Sequence, residues 1–391
     1  MKGRRIVSIV AAMLMVGGGV FAQSSYTFIS IDVQCAANLD ASACPAGLVP
    51  GQVAAQTSAK SINAHGDVVG FYVAGGRQHG FLLKDGKYTT VDFPLSGVRN
   101  TIANGINARG EIVGQYLLPV TLKDESGNDL PEDSPQYCPS NLPTPPNPPN
   151  TPDPACIKGF HYFHGQFSTV MFPSTVDATG HEHKHPGAIA MHITSDGNIV
   201  GCLHDHDLGP SMFGAVWTRS GTSSLLPDGG QLAAFDSMSA SGVPMSMNNG
   251  AAAGLNQPVA GFFMDMANRQ HGYVVRDGML AAYDPDGANL TAIWDMTPGQ
   301  QFVGTFRFSG EAAGKRHAFL QNPDGSPAIT IDFVCQDASG CAGAPFGATA
   351  FATVAFGITP DGVIVGQYVL VNGGAPHGFL ALSATTDSIS K

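Results

Sequence analysis

Residues 62–72 read INAHGDVVGFY, residues 106–116 read INARGEIVGQY, and residues 358–368 read ITPDGVIVGQY. Each copy joins a glycine-containing turn to a short β-branched run that ends on tyrosine. Asn-x-x-Gly and Asp-Gly supply the backbone freedom that tight turns require, and the run after them has strand chemistry. Recurrence at this scale marks stacked supersecondary units, none of which can bury its own faces alone.

Working outward from that string recovers six copies. Their shared glycine falls at Gly70, Gly114, Gly201, Gly261, Gly304 and Gly366, in DVVGFY, EIVGQY, NIVGCL, PVAGFF, QFVGTF and VIVGQY. A second apolar string follows each: HGFLL, KGFHY, FGAVW, HGYVV, HAFLQ and HGFLA. A third follows several of these, as KYTTVDFP, QFSTVMFP, MLAAYDP and AITIDF, and a short segment ending in SIN, GIN, HIT or GIT precedes the glycine run. Turn pairs such as those in KDGKY, FHGQF and RDGML separate the last two stretches. Four short antiparallel strands per unit, repeating at roughly 40 residues plus insertions, predict an all-β fold: a six-bladed β-propeller of four-stranded antiparallel blades occupying 23–391.

The sixth copy ends in HGFLALSATTDSISK with no fourth strand left to give. Residues 26–33, YTFISIDV, match KYTTVDF and AITIDF instead. The expectation is that Tyr26 to Val33 supplies the outer strand of the last blade and closes the ring, leaving no bare sheet edge. Cys35 and Cys335 stand at the same point after their strands, so the beginning of the chain is in phase with the end of the fifth unit.

Lys2, Arg4 and Arg5 precede a short, glycine-broken apolar run with Val20 and Ala22 near its end. This reads as a signal peptide over 1–22 and predicts a secreted or periplasmic protein with no membrane span. A net charge of −11 repels nucleic acid and anionic lipid. The seven cysteines are read in an oxidising compartment. Their spacing predicts three bridges, Cys35–Cys44, Cys138–Cys156 and Cys335–Cys341, leaving Cys202 over. Cys138 and Cys156 bracket the proline run of an insertion at 117–157, whose composition favours extended polyproline-like chain.

The unit INxxGxIVGxY followed by HGFLL or HAFLQ resembles the HAF-repeat family of exported bacterial proteins. His317-Ala318-Phe319 spells the string, and His79, His271 and His377 begin Gly variants. The third unit departs from it, with Phe213 in the histidine place and Trp217 in the strand. The resemblance implies a fold and an export route, and carries no catalytic residue with it.

Repetition itself sorts the residues. Those present in most blades serve blade geometry, which assigns His79, His271, His317 and His377, and Asp32, Asp92, Asp284 and Asp332, to structure. Singular residues are the functional candidates. Topology places the strand 2–3 loops and the 4–1 connections on one face of the disc, and the irregular segments all fall there. An elaborated face on a rigid scaffold is where a ligand is expected, there or at the adjacent channel mouth. The partner expected is a glycan or an extracellular protein, bound by a monomer.

The third unit holds HEHKHPGAIAMHITSDGNIVGCLHDHD. Alternate residues of an extended chain share a side, which lets His181, His183 and His185 converge, and likewise Cys202, His204 and His206, with His192 nearer the channel. Imidazole with thiolate suits zinc or copper. A metal-dependent lyase or hydrolase centred there is the alternative reading, and a structural envelope module is a third. No GxSxG elbow or phosphate-binding glycine loop is present, and Pro186 argues against a helical HExxH.

Overall fold

The computed structural model describes residues 26–383 except 99, 119–122, 129, 132–133, 135, 139–155, 172–174, 177–178, 181, 184–186, 205–211, 218–232, 235–242, 248–257, 266, 268, 277–278 and 339. For some strand residues, including His183 and His204, the description covers the backbone only.

The described residues form six four-stranded antiparallel units. The first comprises Gln56–Ile62, Val68–Ala74, Arg77–Lys84 and Lys87–Thr90; the second Asn100–Ile106, Ile112–Leu117, Ile157–Phe163 and Gln166–Val170. The third contains Gly187–Ile193, Ile199–His204, Met212–Trp217 and Ala233–Ala234. Val243–Met247, Val259–Met264, Gln270–Arg276 and Met279–Tyr283 form the fourth. Ala288–Met296, Phe302–Phe308, His317–Gln321 and Ile329–Thr330 form the fifth, which one parallel bridge, Gln270 to Leu290, joins to the fourth. Ala352–Ile358, Ile364–Val369 and His377–Ser383 make three strands of the sixth.

The missing strand of the sixth unit is Tyr26–Ser30. It lies antiparallel to His377–Ser383, in register from Tyr26 with Ser383 to Ser30 with Phe379. The free edge of that strand is also clamped: Gln336 accepts from the Phe28 amide at 2.9 Å and donates to the Tyr26 carbonyl at 3.1 Å. Each unit's innermost strand abuts that of the next unit, and the sixth abuts the first. The units therefore close a ring like the blades of a propeller.

The recurrent glycine has a steric cause. A Cβ at Gly70 would lie 1.9 Å from the Ser58 carbonyl oxygen and 2.9 Å from the Phe81 ring, and one at Gly366 would lie 2.0 Å from the Val354 oxygen and 2.8 Å from Phe379. Gly114, Gly201 and Gly304 face the same obstruction. The cause lies in the inner strand, where one residue is bulged out of register in every unit, between Ala59 and Ser61 in the first and between Ala355 and Gly357 in the sixth. A bulge bends its strand and re-aims a carbonyl, and only glycine leaves room for it.

Repeated polar pairs fasten strand to strand. His79, His271, His317 and His377 bond through Nδ1 to Asp92, Asp284, Asp332 and Asp32, at 2.7, 2.6, 2.7 and 3.1 Å. Tyr72, Tyr116 and Tyr368 hydroxyls meet Thr90, Thr169 and Ser30. Between units, buried Thr57, Thr101 and Thr353 accept from the amides of Val33, Phe93 and Phe333, on the chain just leaving the preceding unit. The Asn63 side chain caps its own turn at His65 and Asp67 and donates to the Asn107 carbonyl of the second unit. Asn107 repeats the arrangement toward Thr194 of the third. Each repeated residue thus makes a hydrogen bond at a strand or unit junction, which is why the string recurs.

Disulfides join Cys35 to Cys44, Cys138 to Cys156, and Cys335 to Cys341. Three such bridges point to an oxidising, extracytoplasmic environment. No helix among the described residues is long and apolar enough to cross a membrane.

Candidate functional site: a cleft at the channel mouth

The bulge that demands glycine also decides what reaches the axis of the ring. The bulged positions are Lys60, Asn104, Met191, Met245, Trp294 and Phe356, one per unit, and no two adjacent units from the fourth to the first share a residue type there. Lys60 belongs to the first unit and Trp294 to the fifth, which are not neighbours. Even so, the Lys60 Nζ lies 6.0 Å from the Trp294 ring centroid and 3.6 Å from that of Phe356. Trp294 and Phe356 meet edge to face at 4.9 Å. These three side chains gather in the channel. On the other side, Asn104 donates to the Ala190 carbonyl at 3.1 Å and approaches the Met191 sulfur.

Beside Trp294 and Phe356 opens a cavity of ≈ 390 Å³, within the usual range of small-molecule pockets, about 300–1,000 Å³. Its walls come from the inner and second strands of the fifth and sixth units, including Thr305, Val354 and Gln367. Gln270, Arg316 and Val369 line it at strand ends where the 2–3 connections emerge. The cleft therefore opens on the face that carries the irregular loops. Among the described residues the Gln367 side chain makes no hydrogen bond, while Gln270 donates to the Thr291 carbonyl and keeps its own oxygen available.

Arg316 lines this cleft, and Lys60 stands against the ring of Phe356, one of its walls. Arg316 donates from Nη1 to the carbonyls of Ala313 and Lys315, at 2.6 and 2.7 Å, and neither it nor Lys60 forms an ion pair among the described residues. Arg307 converges on the same Ala313 carbonyl at 3.0 Å. Burial, then the like charge of Arg307, presses the Arg316 guanidinium below its ordinary value, yet an arginine stays charged at any physiological pH. The nearest acidic side chain of that loop, Glu311, is engaged by His317 and by the Phe308 amide.

Burial pushes the Lys60 ammonium down to about 7. By exposed area the residue is only half-buried. The two observations agree for a group inside a narrow channel, which water enters but bulk solvent does not screen. The aromatic faces around Nζ offset part of the desolvation.

Of the third-unit candidates, Cys202 and His192 lie among the residues described with their side chains. Cys202 is buried against Ile189, Met191, Phe262 and Trp294, and burial pushes its thiol up to about 12. Such surroundings favour the neutral thiol over the thiolate. His192 is buried in the inner strand with Nδ1 3.8 Å from Asp295, and burial lowers its pKa despite that carboxylate. His181, His185 and His206 lie outside the described residues, as do the side chains of His183 and His204; the His183 backbone pairs with Thr175 and that of His204 with Gly187 and Met212. Among the described residues no group of three or more His, Cys, Asp or Glu is arranged to hold a metal ion.

Sequence reading passed over Lys60, Trp294, Phe356 and Arg316. A signal for the first three existed. Aligning the segments that end in SIN, GIN, HIT, DMT and GIT puts Lys60, Asn104, Met191, Trp294 and Phe356 in one column, the most variable column of that strand. Arg316 has no such signal, because its approach to the cleft is set by the loop between the second and third strands.

The backbone is similar to that of a Trypanosoma rangeli sialidase in complex with 2,3-difluorosialic acid. The TM-score is 0.47 at 10% identity, over 92% of this chain and 58% of the sialidase chain, so this chain spans well under two thirds of that protein. It is also similar to a Dyadobacter fermentans protein of unknown function, with TM-score 0.47 and 12% identity over 91% of this chain and 99% of that one. No protein-family model and no curated protein matches the chain.

Proposed function

We propose that this protein is an exported six-bladed propeller of the HAF-repeat kind, secreted or periplasmic, that binds a saccharide in the cleft between its fifth and sixth blades. The observation that carries the reading is the pairing of Trp294 and Phe356 with the side-chain amides of Gln270 and Gln367 around one concave site. Aromatic faces take the apolar C–H surface of a sugar ring, and amides take its hydroxyls. A concave site of this size with few polar groups suits a small ligand rather than a protein surface. The ring supports the site rigidly, since the aromatic residues sit on inner strands held on both sides.

The chain has two tryptophans, Trp217 and Trp294, so a W217F variant reports on the cleft alone. Saccharides captured from a glycan array are expected to change Trp294 emission, and W294A and Gln367→Ala to abolish capture while the far-ultraviolet dichroism is retained. Capture that persists in both cleft variants, or an array without a single hit, overturns the proposal.

A further inference from the structure

We infer that the saccharide taken by this cleft is anionic, bearing an oxyanion, a carboxylate or a sulfate ester, that is received by Arg316 with Lys60 as a second cation. This rests on the cleft reading above and adds the ligand's charge to it.

The chain carries a net −11, and charged residues are only 13% of it. Against that background the loop at the cleft holds Arg307, Lys315 and Arg316 within ten positions, while Lys60 reaches the far side of Phe356 from the adjoining first unit. None of the four is ion-paired among the described residues. Arg307 donates to Asn289 and Ala313, and Lys315 lies 5.8 Å from the Phe351 ring. Arg316 spends only Nη1, and that on two carbonyls. Among the described residues its Nε and Nη2 donors have no protein acceptor, in a side chain that lines the cavity.

A cation used for structure is ordinarily neutralised nearby, and this chain does so elsewhere. Lys84 pairs with Asp67 at 2.8 Å, and Arg77 with Asp92 at 3.5 Å. Leaving Arg316 unneutralised, half out of water and beside a second arginine, is electrostatically unfavourable for the free protein. A bound oxyanion reverses that, because its hydrogen bonds to an arginine fork are charge-assisted and stronger than neutral ones. Lys60 acts at longer range. A negative charge beyond Phe356 favours its ammonium form, so ligand and lysine stabilise each other's charge.

Neutral sugars would meet the same rings and amides but leave the guanidinium donors unpaired. The expected selectivity is therefore for charge, superimposed on a modest affinity for the saccharide skeleton.

The test uses the full-length protein in the W217F background with three probes: trigalacturonate, its methyl ester, and a sulfated galactose trisaccharide. Titrations follow Trp294 emission. At least one charged probe is expected to bind about tenfold or more tightly than the ester, since hydrogen bonds to a charged group are worth about 1.5–3 kcal/mol. Arg316→Gln should erase most of that ratio, and added salt should weaken the charged probe only. Which probe wins tells carboxylate from sulfate. If the ester binds as tightly as both charged probes, or if R316Q preserves the ratio, the inference of charge is overturned while the cleft reading stands. If no saccharide, charged or neutral, alters Trp294 emission, the cleft reading itself falls. A melting curve of R316Q matching the parent excludes misfolding as the cause, and Lys60→Met supplies an independent second variant.

Discussion

Tyr26, the first described residue, pairs antiparallel with Ser383, the last. Between them the chain travels once around the ring, so this one pairing decides whether the ring is closed. Phe28 is the apolar anchor of the closing strand. It is buried, edge-on to Phe333 at 5.3 Å and to Phe379 at 5.9 Å. Phe28→Ala is expected to cost about 3–5 kcal/mol in denaturant unfolding, the usual penalty for emptying an aromatic core site. A cost under about 1 kcal/mol would mean that the strand contributes little to closure.

Gly366 and Gly362 separate two reasons for being glycine. At Gly366 an added methyl meets the Val354 carbonyl at 2.0 Å, whereas at Gly362 nothing lies within 4 Å and the backbone has φ +86. Gly366→Ala should lose at least about 3 kcal/mol, the upper end of ordinary overpacking. Gly362→Ala should lose about 1–2 kcal/mol, the cost of a left-handed non-glycine residue. Equal losses at the two sites would refute the carbonyl obstruction as the origin of the repeat.

Lys60 gives the protein a stability profile with a definite sign. Its ammonium is pushed down to about 7 in the folded ring, against about 10.4 for a free lysine. Between those values the unfolded chain holds a proton that the folded chain has released, so this contribution to stability rises with pH across the window. Below it the full penalty of a buried charge remains. Lys60→Met should therefore melt higher than the parent near pH 6, by a margin that narrows toward pH 9. A margin independent of pH would show that the lysine is not charged and confined as described.

The architecture was legible in the sequence because its causes are local and repeated. Glycine under a bulged carbonyl, histidine against an aspartate at the end of the same unit, and asparagine in a turn all recur wherever the unit recurs. Ring closure was legible for the same reason, since YTFISIDV copies the fourth strand of other units. The cleft was hidden by the strategy that exposed the fold. The eye follows the constant second strand, while the variable column lies in the first, and alternation alone does not show that a bulged residue turns toward the axis. Cys202 illustrates the opposite limit. Its spacing from His204 is visible in the string, but Phe262 and Trp294, which make its surroundings apolar, come from the fourth and fifth units. Spacing along one strand carries no information about neighbours brought from elsewhere in the ring.

The Tyr26–Ser30 strand has a consequence for the order of assembly. Made early, it has no partner until His377–Ser383 has been made, so it must wait through synthesis of nearly everything between. Any product cut short before that last strand leaves Phe28 in water and a row of backbone groups unsatisfied along the sixth unit. Such fragments carry the exposed edge that proteases and chaperones recognise. The fold in effect inspects its own length, and only a chain translated to the sixth unit passes.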